Sequence, residues 1–168
     1  MTIVRRATSV LVMGLVVGAV GGVALGVVWW RLAPRVSVVV RPDAVYPANY
    51  QPDGYIAADV AFAILAVIAG VAVTIGLVRM RREHLIATLF AALLSGAVGS
   101  LLMWLVGTRL GHVDIEGLSA TITDSVTVDA PLRLTMPALV LVWPIASALV
   151  VCIVALSDWL AEVRRSDR

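Results

Sequence analysis

The residues able to do chemistry in this 168-residue chain are few and lie in two places. His112, Asp114 and Glu116 alternate in "GHVDIEG", so an extended strand would carry all three on one face. Imidazole and carboxylate together suit several divalent ions. The same alternation is also how a solvated strand face reads, and no second His or Cys stands nearby to complete a zinc shell. The solvated face is the preferred reading, and no metal or other cofactor is assigned. The second place is Asp59, the only formally charged residue within four long apolar stretches. An acid inside a membrane segment is a functional candidate by default. Asp59 stands about one helical turn inside its stretch, where the positive end of a helix favours a carboxylate. Arg31 and Arg109 close two other stretches at the matching level. A structural ion pair of Asp59 with Arg31 or Arg109 is the favoured expectation, with a proton-linked or ligand role and an unpaired interfacial acid as alternatives.

The elements that hold these residues follow from composition. The chain is 61% hydrophobic and 14% charged, with mean hydropathy +0.99. Soluble domains carry nearer a quarter charged residues, so this is the composition of a membrane protein. All 13 basic residues are Arg, which reads as the coding bias of a GC-rich genome. They are scattered at the ends of apolar runs rather than gathered on a face, which argues against nucleic acid as a partner despite a pI near 9.2. The single Cys, Cys152, lies in an apolar run and leaves the redox compartment open.

Four stretches, 7–30, 57–78, 85–107 and 134–157, are long enough to cross a bilayer, where about 20 helical residues are needed. With no water to satisfy the backbone, they are expected as helices. The predicted fold class is therefore an all-α membrane protein, a bundle of four transmembrane helices forming one integral domain over 1–168. The first stretch is too long for a signal-peptide core and lacks a clear cleavage site after it, so it is read as an uncleaved span. Eight Arg residues (5, 6, 79, 81, 82, 164, 165 and 168) flank one side, and five (31, 35, 41, 109 and 133) are spread over the two long loops of the other. The positive-inside rule then places both termini in the cytoplasm. Trp29, Trp30 and Trp104 fall at outer span ends and Trp159 at an inner one, as expected for interfacial anchors.

The first span raises its own question, since Gly14, Gly18, Gly22 and Gly26 recur every four residues, with Gly21 beside them. Such a stripe lets another helix approach to backbone contact, which is what holds helices together in lipid. Candidate partners are Ala92-x3-Gly96-x3-Ser100 and Ser95-x3-Gly99 in the third span, and Ala66-x3-Gly70 and Ala72-x3-Gly76 in the second. Packing within the bundle is the favoured reading. The alternative is that this stripe, or that of the third span with Gly96 and Gly99, docks on a different protein.

The outer loops, 31–56 and 108–133, carry strand-like runs: "RVSVVV" in the first, "HVDIEG" and "ATITDSVTV" in the second. Strands this short need partners, so the two loops are expected to pair into a small extracytoplasmic β cap. "WRLAPRVSV" and "TRLGHVDI" also echo each other faintly, as two hairpins of a parallel repeat would. Pro144 in "LVWPIAS" is expected to kink the fourth span, with Ser147 taking up freed backbone bonding.

Transport needs polar groups near the midplane, and here the midplane is apolar or small. No span holds a His to ligate haem, and no nucleophile–base pair, nucleotide loop or intramembrane carboxylate pair is found, so no enzyme is expected. The layout resembles a family of small actinobacterial four-pass membrane proteins catalogued as a domain of unknown function. The matching features are "WWRLAP" (29–34), the valine-rich run after it, "ADVAF" (58–62), the Arg-rich turn, "GHVDIEG" and the proline-bearing fourth span. The resemblance implies a multi-pass protein of a bacterial plasma membrane and marks Trp30, Pro34 and Asp59 as family features; it carries over no catalytic residue. The expectation is a structural or assembly subunit of a larger membrane complex, its partners the lipid bilayer and other membrane proteins. The alternative is a small-solute or lipid-handling protein with a site under the cap near Asp59.

Overall fold

A computed structural model of the chain describes residues 2–41, 45–47, 52–80, 85–115, 117 and 124–166. Four helices are long and apolar enough to cross a membrane: α1 (Thr2–Leu32), α2 (Pro52–Met80), α3 (Leu85–Leu110) and α4 (Val142–Ser166). α1 and α2 outrun the apolar stretches that announce them at both ends, and α3 and α4 at their C-terminal ends, because a helix continues beyond the apolar slab on polar residues. In α2 it starts at Pro52, whose missing N–H is no loss in a first turn. The fourth helix departs most from expectation. A 3₁₀ turn over Pro137–Leu141 precedes it, and α4 then runs to Ser166. Pro144 therefore lies at the junction where the 3₁₀ turn passes into α4, so its missing N–H falls where the backbone hydrogen-bonding pattern changes.

The faces of α1 turned from the bundle are aliphatic, with Val16 56% and Val20 67% exposed. In water such rows would be an aggregation surface; in a bilayer they meet acyl chains. The glycine stripe takes the opposite face. Gly14 lies against Ala91, Gly18 against Ser95, Gly22 against Gly99, and Gly26 against Met103 and Val106, all on α3. The paired numbers rise together, so α1 and α3 run parallel. A Cβ at Gly14 would come within 3.1 Å of the Ala91 carbonyl oxygen, and one at Gly26 within 2.8 Å of the Val106 Cβ. Gly22 is tighter still, its hydrogen facing the Gly99 carbonyl with no space for a methyl. Among the described residues no glycine adopts a positive φ, so their service here is clearance.

The small residues of α3 are divided between two neighbours. Ala91 and Ser95 face α1, Gly96 faces Pro144 and Trp143 at the start of α4, and Gly99 lies between the Trp143 ring and the Gly18 carbonyl. Gly70 of α2 meets the Trp143 carbonyl and Ala146, so α4 seats its first two turns between α2 and α3. Among the described residues Gly76 has nothing within 4 Å where a side chain would stand, and Ala72 is exposed, so this pair shows no helix contact there.

Three strands cover the end of the bundle at which α1 and α3 finish. β1 (Ser37–Val40) is central, with β2 (Val45–Pro47) on one side and β3 (Val126–Asp129) on the other, both antiparallel to it. Val38 pairs with Val128, and Ala130 N–H donates to the Val36 carbonyl at 2.7 Å, continuing the ladder. Alternation buries Val38 and Val40 with Val36 and Ala130, a satellite core beside the bundle. The two outer loops thus share one sheet. The strand expected at "HVDIEG" does not form. Residues 112–114 are irregular and residue 115 is helical, because the Asp114 carboxylate accepts the Gly117 N–H at 2.9 Å and turns the chain locally. The second half of the supposed repeat accordingly lacks the strand that follows α1.

Candidate functional site

The main core lies just beneath the cap, and two indoles organise it. Trp29, fully buried, donates its Nε1–H to the Ala58 carbonyl at 2.9 Å and meets Phe62 edge-on at 5.1 Å between centroids. Its ring also covers Gly107, so one side chain ties α1 to α2 and α3. An interfacial position was expected from its place near a span end. The N-terminal turns of α2, the end of α3 and Leu132 enclose it instead, and the bond to Ala58 satisfies the polar edge that would otherwise seek water. Trp30 stays near the rim, with the Arg31 and Arg35 guanidinium carbons 5.2 and 5.7 Å from its ring centroid. Trp143 is as buried as Trp29, yet its Nε1 has no partner. Sequence reasoning passed over Trp143, although Gly70, Gly96 and Gly99 on two other spans were the clearance that a buried indole needs.

Asp59 is 4% exposed, in the third turn of α2. Among the described residues no ion pair joins it to Arg31 or Arg109. Its carboxylate instead accepts two backbone N–H groups, from Thr135 to Oδ1 at 3.0 Å and from Met136 to Oδ2 at 3.1 Å. Both donors directly precede the 3₁₀ turn that leads into α4, where N–H groups have no intrahelical acceptor. Asp59 thus caps the approach to another helix, and that helix end supplies the positive dipole. The expected cations are occupied or remote: Arg31 lies over Trp30, and Arg109 is exposed on the last turn of α3.

Room for a ligand is unevenly distributed around this node. The cavity between Pro34, Gly54 and Ala130 holds about 10 Å³, room for one water molecule at most. A larger cleft of about 300 Å³ opens beside the C-terminal end of α3, between Trp104, Thr108 and His112 on one wall and Leu132, Arg133 and Leu134 on the other. The Thr108 hydroxyl is turned inward to the Trp104 carbonyl at 2.8 Å, which leaves His112 and Arg133 as the exposed polar groups of that cleft. Glu116, the third member of the alternating trio, lies outside the described residues. Asp114 is engaged with Gly117, and among the described residues no group of three His, Cys, Asp or Glu side chains converges.

Deeper in the bundle the polar groups are isolated hydroxyls. Thr74, Ser95 and Ser100 are fully buried with no hydrogen-bond partner, and Ser147 donates to the Gly70 carbonyl at 3.4 Å. Ser95 is the residue against which Gly18 packs, so its small size matters for the approach of α1. Comparison with protein families, curated proteins and solved structures returns no match.

Proposed function

We propose that this chain is a non-catalytic integral membrane protein serving as a structural or assembly subunit of a larger complex in a bacterial plasma membrane, with both termini cytoplasmic. The observation that carries the reading is the fate of Asp59. The one charge within the spans is occupied by two backbone N–H groups, so it acts as a brace between α2 and the approach to α4. A transporter keeps its intramembrane acid facing a cavity or pathway. Here the surrounding bundle is closed by glycine clearances and buried indoles. What the chain offers its surroundings is a rigid aliphatic exterior and a folded cap, the features of a docking body.

The test is purification of the full chain from its native membrane in mild detergent. Other subunits recovered at fixed stoichiometry support the reading, and recovery of the chain alone, in every detergent that preserves its fold, removes it. A second reading is favoured by the cleft of about 300 Å³ beside Trp104, a volume at the lower bound of ordinary ligand sites. There an amphiphile or small solute would place an anionic group at Arg133 and His112, next to the segment whose Thr135 and Met136 amides Asp59 holds. If Arg133→Gln abolishes biological function while the complex stays assembled, this second reading displaces the first.

A further inference from the structure

The end of the bundle opposite the cap is built differently from the rest. α2 and α4 touch closely at Gly70, Trp143 and Ala146, then separate. Val151 is the last buried residue of α4, and every described residue from Cys152 to Ser166 is at least partly exposed. The divergence leaves a wedge of about 330 Å³ lined by Ile75, Val78, Arg79, Val150 and Val154. Four of its five walls are branched aliphatic, and the fifth is a guanidinium in the last turn of α2.

We infer that this wedge holds one acyl chain of an anionic phospholipid, with the headgroup phosphate on Arg79. The lining points away from a helix as occupant, because helix contacts in lipid favour tracks of small residues. The wedge offers only Val and Ile beside Arg79, shapes that follow a flexible chain. Charge points the same way. Arg79 is exposed at the mouth, and Arg164 and Arg165 lie on the last turn of α4 at the same end. The acidic groups of that element are Asp158, which already takes part in an interaction, and Glu162. An anionic headgroup therefore meets the Arg79 guanidinium over an apolar slot, the arrangement that recruits acidic lipids to basic membrane-flanking residues. The inference rests on the membrane placement of the helices and is independent of the subunit role proposed above.

The experiment is native mass spectrometry of the purified full chain titrated with phosphatidylglycerol or phosphatidylcholine, with inorganic phosphate as competitor. One phosphatidylglycerol should be retained in preference to phosphatidylcholine, and free phosphate should not displace it. Arg79→Gln, a change at an exposed helix end, should reduce that preference about fivefold, the scale of one basic side chain at an anionic surface. Val150→Trp should fill the slot and lower retention of both lipids. Because Val150→Trp could disturb packing, Arg79→Gln decides the question by itself. Equal retention of the two lipids, displacement by phosphate, or no effect of Arg79→Gln would overturn the assignment. So would an equal loss in Arg164→Gln with Arg165→Gln, which would trace the preference to general surface charge.

Discussion

Trp29 and Trp143 are equally buried, yet only one has a partner for its indole N–H. That difference is measurable. Trp29→Phe and Trp143→Phe lose similar volume, but the first gives up a buried hydrogen bond whereas the second removes an N–H that has no partner. Trp29→Phe should therefore be the more destabilising by about 1–2 kcal/mol in thermal or denaturant unfolding in detergent. Equal losses would mean that the bond to Ala58 contributes nothing. Asp59 gives a second residue-scale prediction. Asp59→Asn keeps one acceptor and sets an NH₂ against a backbone N–H, so it should cost about 1–3 kcal/mol. Asp59→Ala, which removes both acceptors, should cost more. Asp59 was legible as the one odd charge in the spans, whereas its partners were not. Thr135 and Met136 act through backbone N–H groups, which every residue but proline possesses, so no side chain announces them. Trp29 misled for a related reason: a span end is an interface only if nothing folds over it.

At the scale of elements, the α1–α3 contact is the tightest in the molecule. Gly22→Ala should overpack it and cost about 1–3 kcal/mol, while Gly76→Ala, with nothing within 4 Å, should leave stability unchanged or slightly raised. Gly18→Leu with Gly22→Leu should separate the helices outright, seen as loss of the folded species in size-exclusion chromatography. The four-residue glycine period was readable because clearance demands absence of a side chain, and absence is visible in a sequence. The division of α3 between two neighbours was not, since Ser95 and Gly96 are both simply small residues until the direction of each is known. The cap offers a further check. Val38 and Val128 are cross-strand partners, and opposed residues in an antiparallel pair stand within disulfide range. Val38→Cys with Val128→Cys, in a Cys152→Ser background, should form a bond on mild oxidation, detected by mass spectrometry.

For the whole molecule, an even number of helices and the parallel course of α1 and α3 put the cap at one end and both termini at the other. Span count was legible from length and hydropathy alone, because the bilayer sets a threshold that local detail cannot move. Which way the bundle faces is tested with a membrane-impermeant maleimide on intact cells. Val126→Cys, exposed on β3, should react from outside, and Ser166→Cys only after lysis, both in a Cys152→Ser background. The reverse pattern would invert the proposed orientation. The order in which the cap is made has a consequence for biogenesis. Its central strand is synthesised before the second helix, but the neighbour that seals its far edge arrives only after the third, just ahead of the two amides that Asp59 receives. Until then the nascent protein shows an unpaired ribbon edge and an unanswered buried acid. Ribosome-released fragments ending before residue 126 would carry both flaws, and membrane quality control should degrade them while sparing the finished chain.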